Sequence, residues 1–518
     1  MYATHRVIDS TGQPVGFMIG NEFHTDDTVR INIDSIDNLT VAEDGGIRPE
    51  KELPELPYTE AVNRRIYDDL VKRNPFVRDI QQELEEWKHD ASHVVLQLEG
   101  SRQVGKTTEL QKFAYVHYDS VIFVNLADDV YDFMGFIQSA CTVADMESYC
   151  RRAHLPHYIN DRHTVLIIDE IQNSSRAYNA IRRLYGGLEC DIIVTGSYLG
   201  RILGSREFFL PAGTIEKRYL FPLSFREFCR IYGREKLLDN IDLFGGSDRK
   251  DYEALERLYE IYSRIGGYPE VVKEYLRTEN GDACYEVVGK LLTTFKEESG
   301  NYFGNPRDVE IFDSVYREAL KEMCNEKRGT GKGMIETITS LTKSSTDLLV
   351  NKNEIANAII WLRYTGVIGM CDLAVDGDMR NIVSSRRLYF SDCGIAAYLA
   401  SKSMLDPTAL AGILTETFVY NELHRLFKVR YAKRQVMEDE VCFSIYGKYE
   451  LDFMVAGRDR VVYGIEVKTT DGAPVSLKVF IDRRLVDKGI VAKPSYGGHG
   501  ESFDTIPIYT VGCRFPYR

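Results

Sequence analysis

The sequence predicts an α/β protein whose central part is a parallel β-sheet covered by helices on both faces. Short runs of apolar, β-branched residues recur between His93 and about Phe228, and segments with helical spacing separate them. Continuous apolar strands that alternate with helices are typical of a parallel sheet that is buried on both sides. The predicted strands lie at 94–98, 121–124, 165–168 and 192–195, with a further candidate at 215–221.

Changes of pattern divide the chain, which at 518 residues is too long for a single core. The first part alternates apolar and polar residues around Val29, Ile31 and Ile33, which favours β-strands. Three helical patterns and a strand, ending in VIGMCDL and RRLYF, indicate a winged helix. The predicted domains are a small β-rich module at 1–53, the α/β core at 54–230, a helical region at 231–305, the winged helix at 306–400 and a mixed α/β domain at 401–518.

The composition is that of a soluble globular protein, with 44% hydrophobic and 27% charged residues. No apolar run approaches the length of a membrane span, and the residues after Met1 lack the basic flank and apolar block of a signal peptide. The ten cysteines are scattered, with no close pair of the zinc-binding kind, as is typical of reduced thiols. We therefore expect a cytoplasmic protein without membrane contact.

The charge is unevenly distributed along the chain. The net charge is −14, and residues 1–53 alone carry 4 basic and 10 acidic side chains. Residues 405–518 carry 16 basic and 15 acidic side chains and are close to neutral. A strongly acidic protein is a poor general binder of nucleic acid. Any contact with DNA or RNA is therefore expected at a local basic face, with the C-terminal part as the least unfavourable place.

The segment GSRQVGKT at 100–107 follows a predicted strand and opens a predicted helix. Gly100 and Gly105 allow backbone N–H groups to turn towards phosphate, and the start of the helix adds a positive dipole. Lys106 is expected to neutralise the β- and γ-phosphates, and the Thr107 hydroxyl to bind Mg²⁺. The spacing therefore predicts a phosphate-binding loop (P-loop) for ATP, in a context that argues against a chance match.

Two acidic residues end the buried run VLIIDEIQ, which lies on a separate predicted strand of the same sheet. Asp169 is expected to hold Mg²⁺ through its water shell, and Glu170 to orient and polarise the attacking water. An Asp-Glu pair after an apolar strand is usually only a strand end that meets solvent, but the P-loop 64 residues earlier changes that balance. Glu170 favours hydrolysis over transfer of phosphate to a second substrate.

Polar residues also end the next strand, in IIVTGSYLG. Thr195 or Ser197 could contact the γ-phosphate there, and an ordinary strand-to-loop turn is the open alternative. The residues predicted to bind the nucleotide are Gly100, Ser101, Arg102, Gln103, Val104, Gly105, Lys106, Thr107, Thr108, Asp169 and Thr195.

The motifs GSRQVGKTT, IIDEIQ, VTGSYLG, FPLSFREF and GGYPEVV, taken in that order, resemble a group of prokaryotic AAA-type ATPases related to the archaeal ATPases. Members of that group carry a C-terminal domain of long-unknown function, which LYFSDCGIAAYL at 388–399, ETFVYNEL at 416–423 and IEVK at 465–468 resemble. The resemblance covers roughly residues 60 to 510. It implies an ASCE-type ATPase core, a helical lid around GGYP, a winged helix and a terminal domain similar to restriction endonucleases.

The sequence departs from that group in two places. Many relatives have an arginine where this chain has Thr214, and Arg218 follows four residues later. An arginine that reaches the ATP of a neighbouring subunit is therefore in doubt. Oligomer formation is allowed but has no support from the sequence. Residues 1–53 lie outside the resemblance and are a candidate docking module for a protein partner.

The C-terminal segment YELDFMVAGRDRVVYGIEVKTT contains a second candidate site. Glu466 and Lys468 point to the same side of one strand, and a neighbouring strand can bring Asp452 beside them. Two carboxylates and a lysine suit Mg²⁺-dependent phosphodiester cleavage, and this order matches the D…E-x-K arrangement of the endonuclease-like fold. Glu416 on the preceding helix is a further metal ligand candidate, with Glu422 as the alternative. A charged surface strand, or a site that binds without cleaving, remains open.

Two other segments could contact nucleic acid. A basic stretch with interleaved aromatics could follow a phosphate backbone, although a solvated helix face explains it equally well. Its residues are Arg425, Phe427, Lys428, Arg430, Tyr431, Lys433 and Arg434. The stretch NKNEIANAIIWLRYTG sets Lys352 and Arg363 against Glu354, a balance that favours packing between domains over a recognition helix.

Together these features predict an ATPase that requires ATP and Mg²⁺ and controls a nuclease-like domain, with catalytic residues Lys106, Glu170, Asp452, Glu466 and Lys468. The predicted metal ligands are Thr107, Asp169, Asp452, Glu466 and Glu416. The main alternative is an ATP-operated switch whose terminal domain binds protein or DNA without cleaving it. A small-molecule kinase is disfavoured by Glu170.

Overall fold

The computed structural model describes most of the chain from residue 61 to residue 513. Within that span it omits 129–131, 154, 156–157, 198–212, 304–306, 324–333, 346–351, 404, 433–440, 458–460 and 471. Before residue 61 it describes the backbone of short strands and the start of a helix, at 5–8, 14–19, 22–25, 39–41, 47–49 and 55–60.

The N-terminal strands form two small sheets. β1 (His5–Ile8), β2 (Pro14–Ile19), β3 (Glu22–Thr25) and β6 (Glu55–Pro57) make a four-stranded sheet in the order β3-β2-β1-β6, and β4 (Leu39–Val41) pairs with β5 (Ile47–Pro49). The strand expected around Val29 to Ile33 lies outside the described residues. Strands therefore occur in the predicted β-rich module, although its extent is untested.

The core is a parallel sheet, as predicted. Its five strands, in the order β11-β7-β10-β9-β8, are all parallel. They are β7 (Val95–Glu99), β8 (Ser120–Asn125), β9 (Thr164–Asp169), β10 (Asp191–Thr195) and β11 (Ile215–Tyr219). The helices are α1 (Tyr58–Arg73), α2 (Ile80–Lys88), α3 (Lys106–His117), α4 (Phe133–Ile137), α5 (Val143–Arg152) and α6 (Ser175–Gly187).

The apolar strands form because helices cover both faces of this sheet. All six residues of β9 are buried, and the four apolar ones, Val165–Ile168, alternate between two separate hydrophobic clusters on the two sides of the sheet. Apolar residues therefore occupy both sides of the strand, which gives a continuous apolar run instead of an alternating one. The carboxyl ends of β7, β9 and β10 meet at one edge, where the predicted P-loop and acidic pair lie.

A mostly helical region follows the core. Its helices are α7 (Phe225–Ile231), α8 (Glu235–Asn240), α9 (Arg249–Ile265), α10 (Pro269–Thr278), α11 (Gly281–Phe303), α12 (Arg307–Met323), α13 (Met334–Ser345) and α14 (Lys352–Tyr364). No helix in the described part of the chain is long and apolar enough to cross a membrane.

The C-terminal sheet has seven strands in the order β13-β12-β14-β15-β16-β17-β18. They are β12 (Ile368–Val375), β13 (Ile382–Phe390), β14 (Cys442–Tyr446), β15 (Tyr449–Ala456), β16 (Val462–Val467), β17 (Lys488–Lys493) and β18 (Phe503–Pro507). The accompanying helices are α15 (Cys393–Lys402), α16 (Pro407–Ala432) and α17 (Val475–Asp482).

This sheet crosses a predicted domain boundary. The hairpin β12–β13 belongs to the predicted winged helix at 306–400, but β12 pairs with β14 in parallel from Asp372↔Cys442 to Val375↔Ile445. The hairpin therefore forms one end of the sheet of the C-terminal domain predicted at 401–518. Sequence periodicity identifies the strands but does not show which strand each one pairs with.

Candidate nucleotide-binding site and a second carboxylate site

The P-loop connects the end of β7 to the start of α3. Gly105 precedes the first helical residue with φ 97°, and Gln103 has φ 61°. Gly100 is confined by the neighbouring strand, because a Cβ at this position would lie 2.2 Å from the Leu220 carbonyl oxygen. Position 100 requires glycine because the backbone of another segment lies too close for a side chain. Position 105 favours glycine because its φ is positive.

Lys106 is held inside the loop. Its Nζ donates to the carbonyl oxygens of Gly100 at 3.0 Å and Ser101 at 2.9 Å, and lies 3.4 Å from Ser197 Oγ. Burial lowers the pKa of Lys106 to about 8, against the opposing effect of the Glu170 and Asp169 carboxylates. A desolvated ammonium group at the start of a helix is well placed to receive phosphate oxygens.

Thr107 and Asp169 meet directly across the site. Thr107 Oγ1 donates to Asp169 Oδ2 at 2.7 Å, which joins the start of α3 to the end of β9. Burial raises the pKa of Asp169, while the bond from Thr107 opposes that shift. A hydroxyl and a carboxylate at this separation are oxygen ligands of the kind Mg²⁺ prefers. The two side chains therefore fit the predicted magnesium role.

Glu170 follows in a left-handed backbone conformation, with φ 53°. Its N–H donates to Asp169 Oδ1 at 2.8 Å, and its carboxylate accepts a short hydrogen bond from Gln172 Nε2. Glu170 is also the strongest charge acting on Lys106. The structure thus brings Lys106, Thr107, Asp169 and Glu170 together at one edge of the sheet.

The two candidates at the end of β10 differ in position. Thr195 is fully buried, and its Oγ1 donates to the Leu98 carbonyl oxygen at 2.9 Å. Ser197 lies two residues further on, near Lys106. Ser197 is therefore nearer to the predicted phosphate position, whereas the Thr195 hydroxyl joins β10 to β7.

The helical region contacts the outer side of the loop. Arg102 Nε lies 2.5 Å from Glu298 Oε1 on α11, and the Tyr268 hydroxyl donates to Ser101 Oγ at 3.4 Å. A Cβ on Gly366, in the turn before β12, would lie 2.7 Å from Ser101 Cβ. These contacts were absent from the sequence-based prediction, because no local pattern links residues so far apart in the chain.

A buried ion pair supports the loop from behind. Arg78 donates from Nη1 to the Val104 carbonyl oxygen at 3.1 Å, from Nη2 to the Phe221 carbonyl oxygen at 2.6 Å and from Nε to Glu227 Oε1 at 3.0 Å. Glu227 Oε2 accepts from Ser224 N at 2.8 Å. Burial works against ionisation of Glu227, but Arg78 and the backbone N–H groups of Asp79 and Ser224 lower its pKa. The motif FPLSFREF therefore has a structural role beside the P-loop.

Helix α16 joins the C-terminal domain to the same motif. Arg425 Nη2 donates to the Pro222 carbonyl oxygen at 3.2 Å, its Nη1 forms a short ion pair with Glu422, and Phe225 N donates to Glu422 Oε1 at 3.5 Å. Lys428 Nζ lies 4.7 Å from the centre of the Tyr219 ring. Arg425 and Lys428 therefore contact the core domain, and Glu422 lies in this junction.

The C-terminal candidates lie together, with Asp452 on β15, Glu466 on β16 and Lys468 just after β16. Asp452 Oδ2 accepts from Val467 N at 2.8 Å. Glu466 Oε1 lies 2.7 Å from Lys468 Nζ, and Glu466 Oε2 accepts from Leu477 N at 2.9 Å. Asp452, Glu466 and Lys468 are thus neighbours, as strand geometry predicts, and both oxygens of Glu466 contact groups of the protein.

Glu416 on α16 also acts on this site. Burial, followed by the charge of Glu416, raises the pKa of Asp452 to about 7, and the fully buried Arg387 on β13 opposes the shift. Among the described residues, however, no group of three or more His, Cys, Asp or Glu side chains is arranged to hold a metal ion. The metal roles of Asp452, Glu466 and Glu416 therefore remain predictions.

Family comparisons give two matches. Residues 92–229 match the model of an AAA domain, and residues 256–406 match a domain of unknown function (DUF8612). The first match covers the P-loop, the Asp169–Glu170 pair and the motif around Phe225. The chain therefore contains an AAA-type ATP-binding domain. Comparison with curated proteins gives no match.

Several solved structures are similar in part. The Walker-type ATPase PABY2304 of Pyrococcus abyssi is 16% identical, with 62% of this chain and 95% of that chain covered and a TM-score of 0.38. The Orc1 protein of Aeropyrum pernix, solved in complex with DNA, is 14% identical, with 67% and 93% covered and a TM-score of 0.25. RuvB of Thermotoga maritima is 16% identical, with 56% and 88% covered and a TM-score of 0.27.

Proposed function

We propose that this protein is a Mg²⁺-dependent ATPase whose nucleotide cycle controls a nuclease-like C-terminal domain acting on nucleic acid. The observation that carries the first part is the bond from Thr107 Oγ1 to Asp169 Oδ2, beside the buried Lys106. These three side chains come from two elements that meet at the carboxyl edge of a parallel sheet. The match of residues 92–229 to an AAA domain supports the same reading.

Each residue has a distinct role in hydrolysis. Lys106 and the N–H groups at the start of α3 bind the β- and γ-phosphates and offset their charge. Thr107 and Asp169 would hold Mg²⁺, which supplies further neutralisation of the phosphate oxygens when bound. Glu170 accepts a proton from the attacking water. Ser197, two residues after the end of β10, lies beside Lys106 and would contact the γ-phosphate, whereas Thr195 ends β10.

The second part of the proposal rests on the order of elements in the C-terminal domain. α16, β14, β15, β16, α17 and β17 follow one another and bring Asp452, Glu466 and Lys468 together. The family resemblance of the sequence implies an endonuclease-like fold with the order helix, strand, Asp, strand and Glu-x-Lys, which supports this part of the proposal. In that role Asp452 and Glu466 would bind the metal with Glu416, and Lys468 would stabilise charge on the phosphate.

The route of control is the junction around Phe221–Glu227. Arg78 joins this segment to the Val104 carbonyl oxygen of the P-loop, and Arg425 and Glu422 join it to α16. Glu416 lies on the same helix α16. A shift of the P-loop on nucleotide binding can therefore reach the C-terminal carboxylates through buried contacts.

A second function is favoured by one specific observation. Both oxygens of Glu466 contact protein groups, and no metal-holding cluster of acids is present among the described residues. This arrangement suits a terminal domain that binds protein or nucleic acid without cleaving it, so that ATP operates a switch. The net charge of −14 also favours this alternative over a general nucleic-acid enzyme.

The two functions are separated by incubating the protein with single- and double-stranded DNA and Mg²⁺ or Mn²⁺, with and without ATP. Cleavage that disappears in Lys468→Ala, while ATP turnover persists, would support the nuclease. Intact ATP turnover without cleavage under any of these conditions would support the switch. Asp169→Asn is expected to weaken Mg²⁺-dependent ATP binding, and Glu170→Gln to bind ATP but hydrolyse it slowly. Normal hydrolysis by Glu170→Gln would assign the base to another residue.

A further inference from the structure

Gln172 lies two residues after Glu170, in a short 3₁₀ turn at Ile171–Asn173. Its side chain is buried, with 8% of the residue exposed. The Nε2 group donates a short hydrogen bond to Glu170 Oε2. The side chain that touches the proposed base is therefore a neutral amide in a site otherwise dominated by charge.

The other end of the Gln172 amide faces β10. Gln172 Oε1 is buried and has no hydrogen-bond partner among the residues that the structure describes. A Cβ on Gly196 would lie 2.1 Å from this oxygen, so only glycine leaves room for the amide. Gly196 directly precedes Ser197, which lies near Lys106. Gln172 thus fills the space between the ends of β9 and β10.

The two carboxylate oxygens of Glu170 have different surroundings. Oε2 is fixed by the amide, whereas Oε1 has no protein partner in the described part of the chain. The left-handed backbone at Glu170 fixes the position from which the carboxylate extends. A carboxylate that is fixed through Oε2 can accept a hydrogen bond from water at Oε1 in a defined direction.

We propose that Gln172 is a positioning residue that orients the Glu170 carboxylate towards the attacking water. This inference rests on the proposed role of Glu170 and deepens it. It also explains Gly196 by the same contact, since a larger residue there would displace the amide. Rotation of the amide would remove its charge-assisted bond to Glu170 and bring Oε1 to face the carboxylate, so a single orientation is favoured.

The rival explanation is that Gln172 only fills space. Gln172→Leu separates the two, because leucine occupies a similar volume but cannot donate to Glu170. The full-length protein is assayed for ATP turnover and, in parallel, for ATP binding by calorimetry. We expect kcat to fall by about tenfold to a hundredfold, as for a displaced catalytic base, with the ATP dissociation constant within about twofold of the original.

A matched control is available on the protein surface. Gln82 Nε2 donates to Glu86 Oε1 at 3.3 Å on the exposed face of α2, so Gln82→Leu removes a glutamine–glutamate bond outside the P-loop. It is expected to leave kcat unchanged. Loss of turnover in Gln172→Leu together with a lower unfolding temperature and lost ATP binding would overturn the proposal in favour of a structural role.

The decisive measurement combines two variants. If Gln172 acts through Glu170, then Gln172→Leu has no further effect on kcat in a Glu170→Gln background. Independent, multiplying effects would overturn the proposal. Unchanged kcat in Gln172→Leu, with slow turnover in Glu170→Gln, would overturn it while leaving the proposed ATPase intact. Normal turnover in Glu170→Gln would instead remove the base on which the inference rests.

A pH profile gives a readout that packing alone would not move. Gln172→Glu keeps the shape of the side chain but places a second carboxylate beside Glu170. Because like charges disfavour ionisation, a functioning base would be lost at a higher pH than in the original protein. We expect the acidic limb of the kcat profile to shift upwards in Gln172→Glu and to stay in place in Gln82→Glu. If the acidic limb of the Gln172→Glu profile does not shift, the proposed contact between Gln172 and Glu170 is wrong.

Discussion

The P-loop site and the C-terminal carboxylate site both contain a lysine and at least two acids, but their side chains are connected differently. In the P-loop site, side chains of separate elements contact each other, with Thr107 on α3 bound to Asp169 on β9 and Lys106 near Ser197 after β10. In the C-terminal site Glu466 bonds to Lys468 two residues away and to a backbone N–H.

This difference indicates whether the side chains of each site are already arranged to bind a ligand. The P-loop site gathers side chains from three strand ends around a positively polarised helix start, an arrangement that suits an anion and its metal ion. The C-terminal acids are satisfied by their own lysine and backbone, so a metal would have to replace existing bonds. The comparison therefore favours ATP binding more strongly than DNA cleavage.

The largest effect is expected from Lys106→Ala. ATP turnover should fall by about a thousandfold or more, because a buried cation facing the phosphates is lost, while the fold is retained. Lys468→Ala should leave turnover unchanged, which separates the two lysines. Turnover and unfolding temperature of both variants are measured in parallel. Persistent hydrolysis by a clean preparation of Lys106→Ala would remove the P-loop from the proposed function.

A second large effect concerns the support behind the loop. Glu227→Gln leaves the Arg78 guanidinium buried without its anionic partner and should destabilise the protein by about 3 kcal/mol. Arg249 and Glu253 form an exposed pair at 2.8 Å on α9, and Glu253→Gln should cost less than about 1 kcal/mol. Denaturant unfolding followed by fluorescence compares the two. Equal effects would show that Arg78 and Glu227 contribute no more than a surface pair.

The two sites should respond to pH in opposite directions. With a Lys106 pKa of about 8, the lysine loses its charge above pH 8, so ATP affinity should fall by up to about tenfold for each further pH unit. Lys106→Arg keeps the charge and should remove this slope. Calorimetry at pH 7 to 9.5 measures it, and a flat profile in the original protein would contradict the lowered pKa.

At the C-terminal site the pKa of Asp452 is about 7, so a divalent cation would compete with a proton. Mn²⁺ affinity should therefore rise as pH increases from 6 to 8, by at most about tenfold per unit. Asp452→Asn should abolish both the slope and the binding at this site. The Mn²⁺ titrations are made in a Thr107→Ala, Asp169→Asn background, so that binding at the P-loop does not contribute to the measured affinity. An Mn²⁺ affinity that does not change with pH would show that Asp452 is not a ligand.

The smallest effect is expected at the outer side of the loop. Glu298→Gln removes the ion pair with Arg102, which is partly exposed, and should change ATP affinity by about twofold or less. A change above tenfold would show that the helical region controls nucleotide binding directly. Competition with a fluorescent ATP analogue is sensitive enough to detect either result.

The sequence predicted those features that depend on local patterns. Gly100, Gly105 and Lys106 form a local motif between a predicted strand and a predicted helix, the Asp169–Glu170 pair ends a second predicted strand, and the structure gathers them at one sheet edge. β9 was recognisable because burial on both faces requires a continuous apolar run. These inferences needed no knowledge of contacts between distant segments.

Other features depend on pairing between distant segments and left no local trace. Arg78 lies between α1 and α2, where no sequence motif marks it, although it bonds to both Val104 and Glu227. Arg425 belongs to a basic stretch that could bind nucleic acid, but it is partly buried and donates to the Pro222 carbonyl oxygen. Only tertiary packing distinguishes a buried arginine from an exposed one with the same neighbours.

The pairing of β12 with β14 has a practical consequence for dissecting this protein. A fragment that begins at residue 401 would lack β12 and β13, and the edge of β14 that pairs from Cys442 to Ile445 would be exposed to other chains. Such a fragment should be prone to aggregation and is unsuitable for assigning activity to the terminal domain. A fragment that starts before Ile368 keeps all seven strands of the sheet, and we expect it to be the better one for expression.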